Sequence, residues 1–182
     1  MKSILTAAVL PAFALAANLC APPATGQEAG SSLRNHNSNA PVDVAADRIE
    51  VQDRADRAIF SGNVVVRQAE LTLTAARLTV AYSNAGGIQI ERLDASGGVT
   101  LKSPGETARG QFAIYDLERR LITMIGNVTL TRGESNVNGG RLVIDLASGR
   151  AVMDGSAGRA AAGTLSQGGR VTGTFTVPQR RD

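Results

Sequence analysis

The residues of this sequence that could do acid and base chemistry are its carboxylates, because a pair of them can cleave a glycosidic bond. Most of them fall at polar turns or at outward positions of predicted strands. Those between residues 43 and 154 are Asp43, Asp47, Glu50, Asp53, Asp56, Glu70, Glu91, Asp94, Glu106, Asp116, Glu118, Glu134, Asp145 and Asp154. No pair among them stands in a recognisable catalytic setting.

Nucleophilic catalysis and metal binding need residue types that the sequence hardly contains. Cys20 and His36 are its single cysteine and single histidine. Cys20 lies in an apolar leader where residues 17–19 fit a lipid-attachment signal poorly, and His36 lies among Gly, Ser and Asn. A nucleophile with a positioned base, a nitrogen- or thiolate-rich metal site and disulfide chemistry therefore lack their residues. We predict a protein that is not an enzyme and has no cofactor, with His36 a solvated linker residue.

Composition and charge point to strands and away from nucleic acid. The 19 basic and 16 acidic residues give a pI near 9.6, but the basic residues are spread along the chain. A phosphate-tracking surface needs clustered Lys and Arg, commonly with stacking aromatics. Aromatic residues make up 3% of the chain and there is no Trp, so the core must consist of Val, Ile, Leu and Ala, which suit a pleated sheet.

The first forty residues read as a leader and a linker. Met1-Lys2 and the apolar run from residue 4 to residue 19 predict a signal peptide over residues 1–26, with cleavage after Ala16 or near Gly26. An uncleaved membrane anchor is the alternative, but it needs ~20 unbroken apolar residues and Pro11 interrupts a shorter run. Residues 27–40 are mostly small and polar, which predicts a flexible linker before one domain over residues 41–178 and a tail over 179–182.

An internal repeat with period-two alternation occupies the rest of the chain. Its anchors are Gly62, Gly97, Gly126 and, more weakly, Gly155, at spacings of 35, 29 and 29 residues. Each unit holds short strands with one apolar and one polar face, so units must stack to bury the apolar face. The glycines fit either a bulge that bends the strand or a tight turn. The prediction is an all-β fold, a twisted antiparallel two-sheet sandwich.

At these residues the sequence resembles the LptA/OstA family. The most similar stretches are residues 60–68 with Gly62-Asn63-Val64, residues 121–130 with Gly126-Asn127-Val128, and residues 169–178. The resemblance implies an open β-jellyroll in a periplasmic lipopolysaccharide-binding transport protein, part of the bridge from inner to outer membrane. The acyl chains of lipid A would lie in an aliphatic trough between the sheets, in a water-free slot that is accessible along one margin.

Candidate residues for this trough are the apolar positions on the predicted inner faces. They are Val44, Ile49, Val51, Val64, Val66, Leu71, Leu73, Leu78, Val80, Val99, Leu101, Phe112, Ile114, Met124, Val128, Leu130, Leu142 and Ile144. Val42, together with Val44, is carried over from the family's early strand. Ordinary core packing is the alternative role of every one of them. Arg67, Arg77 and Lys102 are candidate contacts for lipid phosphates, or else solubilising surface cations.

The resemblance also implies partners that add strands to the sheet edges. The first strand, residues 41–44, and the last strands, residues 170–177, would join an LptC-like inner-membrane component, an LptD-like outer-membrane component, or further copies head to tail. Two alternatives share the fold: a membrane-anchored LptC-like partner and a detached LptD-like domain. An alternative of another class is a structural assembly module that polymerises edge to edge and binds no lipid.

Overall fold

The computed structural model describes residue 33 and residues 36–84, 86–155 and 169–175. The predicted signal peptide, most of the predicted linker and the predicted tail therefore lie outside the described residues, and the domain boundaries stay a prediction. Within the described ranges, no helix has the length and apolar character needed to cross a membrane.

The described residues form antiparallel strands that belong to one open sheet. The strands are β1 (Asp43–Ala45), β2 (Arg48–Gln52), β3 (Arg57–Gln68), β4 (Leu71–Ser83), β5 (Gln89–Ser103), β6 (Glu106–Asp116), β7 (Leu121–Arg132), β8 (Ser135–Asp145), β9 (Arg150–Asp154) and β10 (Thr172–Thr174). A 3-10 turn, Asp53–Ala55, connects β2 to β3. The sheet order is β1-β3-β4-β5-β6-β7-β8-β10, with β2 also on β3 and β9 also on β8. The predicted all-β antiparallel architecture is confirmed.

Each edge of the sheet is a strand in two pieces. β2 pairs with the first part of β3 and β1 with its last part, so β1 and β2 lie end to end along β3. In the same way, β9 and β10 lie end to end along β8. The gap between β1 and β2 and the gap between β9 and β10 both lie beside the middle of the neighbouring long strand. They are therefore in line with the register shifts inside the sheet.

A crease crosses the sheet at mid-strand. The ladder register shifts at Ser61/Val64, Thr74/Arg77, Ser96/Val99, Arg109/Phe112 and Ile125/Val128. Here Gly62, Gly97 and Gly126 have φ of 79°, 84° and 89°, and the residue after each is left-handed as well. Consecutive left-handed residues are readily adopted by Gly and tolerated by Asn, so the repeated glycines mark bulges that bend the strands rather than tight turns.

The crease divides the sheet into two halves that face each other. We call them the β1 half, which contains β1 and β10, and the β2 half, which contains β2 and β9. Side chains near the hairpin turns of both halves meet, since the Tyr115 hydroxyl on the β2 half donates to Gln68 Oε1 on the β1 half over 2.8 Å. The predicted two-layer arrangement is thus one bent sheet, with its core between the halves.

The core is aliphatic and comes from both halves. Its largest fully buried side chains are Leu78, Leu93, Ile122, Met124, Leu142, Ile144, Val64, Val99 and Val128. Each such side chain contributes roughly 1.5–3 kcal/mol when it is removed from water. The alternating burial along each strand places these residues on the inner face, so hydrophobic burial is what holds the two halves together.

Candidate functional site: an apolar slot between the sheet halves

The slot between the halves is mostly apolar and is nearly filled by its own walls. Its lining residues are Val42, Val66, Gln68, Leu71, Leu73, Leu93, Leu101, Tyr115 and Ile122. The cavity that they enclose has a volume of about 10 Å³, which is the space of a single water molecule. The sequence predicts a slot accessible along one margin, whereas in the structure the walls leave almost no space between them.

Most of the predicted trough residues lie on the inner faces. Buried there are Val64, Val66, Leu71, Leu73, Leu78, Val80, Val99, Leu101, Met124, Val128, Leu142 and Ile144. Val42, Val44 and Leu130 are half-buried and pack against this core. The structure therefore brings these positions together as one continuous apolar surface, and their contact with a lipid stays a prediction.

Phe112 and Ile114 are corrections to the predicted trough. Their side chains are 51% and 38% exposed, whereas Ala113 and Tyr115 are buried at 1% and 3%. The cause is the register shift between Arg109 and Phe112, which reverses the alternation of β6 at the crease. The alternation of residues 111–114, taken as a short strand of their own, therefore placed Phe112 and Ile114 on the wrong face.

Ile49 and Val51 lie on the inner face of the β2 half, as predicted, but at its edge. They pair with Phe60 and Ala58, whose ladder continues to the buried Leu78 and Val80. They are nevertheless 56% exposed, and neither belongs to the core. Because β2 is an edge strand, these side chains lie at the open margin of the β2 half rather than in the sheltered interior.

The three predicted phosphate contacts lie on the outer face of the sheet. Arg67 and Lys102 are exposed on the outer face of the β1 half, because the adjacent Val66 and Leu101 take the inner positions. Arg77 is likewise exposed beside the buried Leu78. None of the three cations borders the slot, because the inward positions of their strands are taken by their apolar neighbours. This orientation argues against a contact with lipid phosphates at the slot opening.

The margin opposite the crease, which we call the mouth, is closed by a polar network around Gln68. Gln68 is 3% exposed. Its Nε2 donates to the carbonyl oxygens of Ser38 and Ala40, both at 3.0 Å. Its Oε1 accepts from the Tyr115 hydroxyl and lies 3.1 Å from His36 Nε2.

Burial raises the pKa of the Tyr115 phenol, although its hydrogen bonds with Ser38 and Gln68 act to lower that pKa. Tyr115 is therefore a donor at neutral pH.

Sequence reasoning missed Gln68 and Tyr115. Gln68 lies two residues after Val66 and four after Val64, so all three side chains lie on the same, inner face of β3. A polar residue at an inner position of a strand is the sequence signal that identifies Gln68. Tyr115 carried no such signal, because the bulge hides its parity. Buried polar side chains in an aliphatic interior must be hydrogen-bonded, which explains why the two meet.

The segment before β1 also contributes to the mouth. Leu33 is 4% exposed and lines a second cavity of about 10 Å³. His36 is half-buried, and Arg120 Nη2 donates to Asn39 Oδ1 over 3.5 Å. The interpretation of His36 as a solvated linker residue is therefore wrong, since its ring contacts Gln68.

Two cations flank the mouth. Arg120 lies in the exposed turn between β6 and β7. Arg132 Nη2 forms an ion pair with Glu106 Oε1 over 2.5 Å, and the Glu106 side chain is almost fully buried. Glu106 lines the same cavity as Leu33. Among the described residues no group of His, Cys, Asp and Glu is arranged to hold a metal ion.

Comparisons with known proteins decide the family. A family model described as LptA/(LptD N-terminal domain) LPS transport protein matches residues 43–150. The chain belongs to this family of lipopolysaccharide transport proteins. The predicted resemblance is thus confirmed, and the matched range spans β1 to the start of β9, the bent sheet itself.

One relative and one solved structure are similar to most of the chain. An uncharacterized protein of Rhizobium meliloti (strain 1021) is 32% identical over 151 residues, which cover 78% of this chain and 81% of that protein. The crystal structure of LptH from Pseudomonas aeruginosa, described as the LptA homologous periplasmic component of the lipopolysaccharide transport device, matches with a TM-score of 0.66 at 18% identity. The match covers 78% of this chain and 99% of LptH, and it shows that the two share the fold.

Proposed function

We propose that this chain is a periplasmic lipopolysaccharide-binding protein that holds lipid A acyl chains between its two sheet halves, as one segment of a bridge from the inner to the outer membrane. The observation that carries the proposal is an aliphatic interior whose two walls are joined by strands only along the crease. Membership of a lipopolysaccharide transport family supports the choice of cargo.

The closed slot requires the halves to separate when a lipid enters. Separation exchanges contacts between the two walls for contacts between each wall and acyl chains, so the apolar side chains stay out of water. The net gain then comes from the lipid, at about 0.8 kcal/mol for each methylene removed from water. A chain of about twelve carbons therefore gains roughly 9 kcal/mol before ordering costs are subtracted.

The polar part of the lipid would lie at the mouth. Arg120 and Arg132 flank this margin on opposite halves, and cations bind phosphate groups by charge-assisted hydrogen bonds. They replace Arg67, Arg77 and Lys102 as the proposed phosphate contacts, because these three face outward.

The test is lipid carried by the purified protein. Protein purified from cells that make lipopolysaccharide should carry bound lipopolysaccharide, which mass spectrometry detects. The variant Val66→Asp should carry none, and its free energy of unfolding should be lower by several kcal/mol or so. Val152→Asp is the matched control, because Val152 is 36% exposed on the outer face of β9, and it should leave both quantities nearly unchanged.

Lipid capture by photo-crosslinking separates a lining residue from a merely structural one. A photoreactive residue at Val66 or Val128 should attach glycolipid in cells, and one at Val152 should not. A protein that is reproducibly empty, and that does not bind added lipopolysaccharide, would instead support a structural assembly module.

Location and neighbours follow from the same proposal. We propose that the leader, residues 1–26, is removed on export, and that the edges formed by β1 with β2 and by β9 with β10 pair with LptC-like and LptD-like components. N-terminal sequencing of protein from the periplasmic fraction tests the first point. An intact Met1 in the inner-membrane fraction would favour the membrane-anchored LptC-like alternative.

A further inference from the structure

The mouth of the slot is covered by a short stretch of chain that precedes β1. Leu33 is 4% exposed and belongs to the apolar core. The walls around it come from both halves: Leu101, Ala108 and Leu130 from the β1 half, and Ile144 from the β2 half. One leucine thus connects two walls that no strand joins at this margin.

Residues 36–40 continue this cover and are held by Gln68. A side-chain amide has two donor hydrogens and two acceptor sites. The Gln68 amide nitrogen donates to the carbonyl oxygens of Ser38 and Ala40. Its amide oxygen accepts from the Tyr115 hydroxyl and is in hydrogen-bond contact with His36 Nε2. Its hydrogen bonds are therefore complete only while residues 36–40 and the β2 half are both in place.

We propose that Leu33 and residues 36–40, which we call the lid, hold the mouth shut, and that an acyl chain enters the slot by displacing Leu33 from its site against Leu101, Leu130 and Ile144. This inference rests on the proposed function for the identity of the entering chain. The closure itself rests only on the contacts of Leu33 and Gln68.

The composition of the lid makes its displacement feasible. Among Leu33 and residues 36–40, Leu33 has the one aliphatic side chain larger than that of alanine, so a single leucine supplies the apolar contact of the lid. An acyl chain of about twelve carbons buries several times the apolar surface of one leucine. It therefore competes favourably for the same site, whereas a shorter or more polar molecule does not.

Thiol labelling at position 33 measures the closure directly. The variant Leu33→Cys, in a chain that also carries Cys20→Ser, should react slowly with a maleimide, because a buried cysteine is a small apolar side chain. Addition of purified lipopolysaccharide should accelerate the reaction roughly tenfold or more, since the site then opens. Ile88→Cys is the control, because Ile88 is 76% exposed in a turn, and it should react rapidly at one rate in both conditions.

The outcomes separate the lid from the proposed function. Slow labelling of Leu33→Cys while lipopolysaccharide is bound would overturn displacement and leave the lipid-binding function standing. Rapid labelling without lipid would overturn the closure.

A comparison without lipid tests the closure even if lipopolysaccharide fails to bind. Gln68→Met, added to Leu33→Cys, removes the donors to Ser38 and Ala40 and should accelerate labelling roughly tenfold. Val128→Cys, whose site is 0% exposed in the core, should stay slow with Gln68→Met and so report that the domain remains folded. An unchanged rate at position 33 would show that Gln68 does not hold the lid.

Discussion

Tyr115 is the residue at which the mouth becomes sensitive to pH. Burial is the main cause that raises its pKa above the ordinary value of 10.0. The unfolded chain therefore loses the phenol proton first as the pH rises. The stability that Tyr115 contributes is complete below pH 10 and is lost as the pH rises through the folded-state pKa.

The variant Tyr115→Phe should show this linkage. At pH 7 it should lower the free energy of unfolding by roughly 1–2 kcal/mol, because Gln68 Oε1 loses a buried donor. The difference from the unsubstituted protein should shrink above pH 10. Urea unfolding from pH 7 to pH 11 measures it, with both proteins carrying Tyr82→Phe because desolvation, Asp53 and Asp56 raise the pKa of Tyr82 as well. A difference that is constant across this range would contradict the assignment.

Single residues mark where sequence reasoning about the slot holds and where it stops. Val64, Val66, Leu78 and Val80 lie inward as their alternation predicts, because strand parity is fixed within an unbroken ladder. Phe112 lies outward because the bulge at the crease resets the parity, and a bulge's position depends on pairing with the neighbouring strands. The contact of Leu33 with the mouth depends on tertiary packing, and the polar residues next to Leu33 in the sequence give no sign of it.

At the scale of elements, the crease on β5 offers a matched pair of glycines. Gly97 and Gly98 both have positive φ, at 84° and 80°. A Cβ on Gly97 would lie 2.6 Å from Ala76 Cβ, whereas one on Gly98 would have nothing within 4 Å. Gly98→Ala should therefore cost only the backbone strain, about 1–2 kcal/mol, and Gly97→Ala should cost a further 1–3 kcal/mol or so.

Urea unfolding of the two variants gives the comparison, with the unsubstituted protein as reference. Equal losses would mean that β4 can yield at Ala76 and that the crease is looser than the contact implies. The same experiment bears on function, because a tight crease lets the two halves swing about one line without breaking the ladder.

The sheet edges carry the second prediction at this scale. β1 and β2 pair only with β3 among the described strands, and β9 and β10 only with β8. A synthetic peptide of residues 41–52 should add to the β9 and β10 edge of the protein, and so reduce any concentration-dependent head-to-tail association seen in sedimentation. The same peptide with Val44→Pro and Ile49→Pro should have no effect, because proline removes ladder donors. Association that both peptides leave unchanged would exclude edge pairing.

For the whole molecule, the sequence predicted the fold class better than it predicted the state of the slot. The repeat of Gly62, Gly97 and Gly126 predicted stacked units of short strands, but it left a bulge and a tight turn open at each glycine, and the structure shows bulges. The closed interior could not be foreseen, since it depends on how side chains from both halves interdigitate. Whether the halves rest together or apart is a property of the assembled sheet.

Opening about the crease is therefore the motion that lipid binding should produce. The turn at Glu70 lies on the β1 half and the turn at Glu118 on the β2 half. Spin labels on Glu70→Cys and Glu118→Cys, in a chain carrying Cys20→Ser, should move apart by roughly 4 Å when lipopolysaccharide binds. This distance is about the thickness of one alkyl chain at van der Waals contact.

A second pair of labels distinguishes opening from general expansion. Glu70 and Pro104 both lie in turns of the β1 half, so labels on Glu70→Cys and Pro104→Cys should keep their distance when lipid binds. Pulsed electron paramagnetic resonance measures both pairs under the same conditions. Bound lipid with no change in the first distance would place the acyl chains on an outer face, where Phe112 and Ile114 are exposed, because a slot of about 10 Å³ cannot admit a chain unless its walls separate.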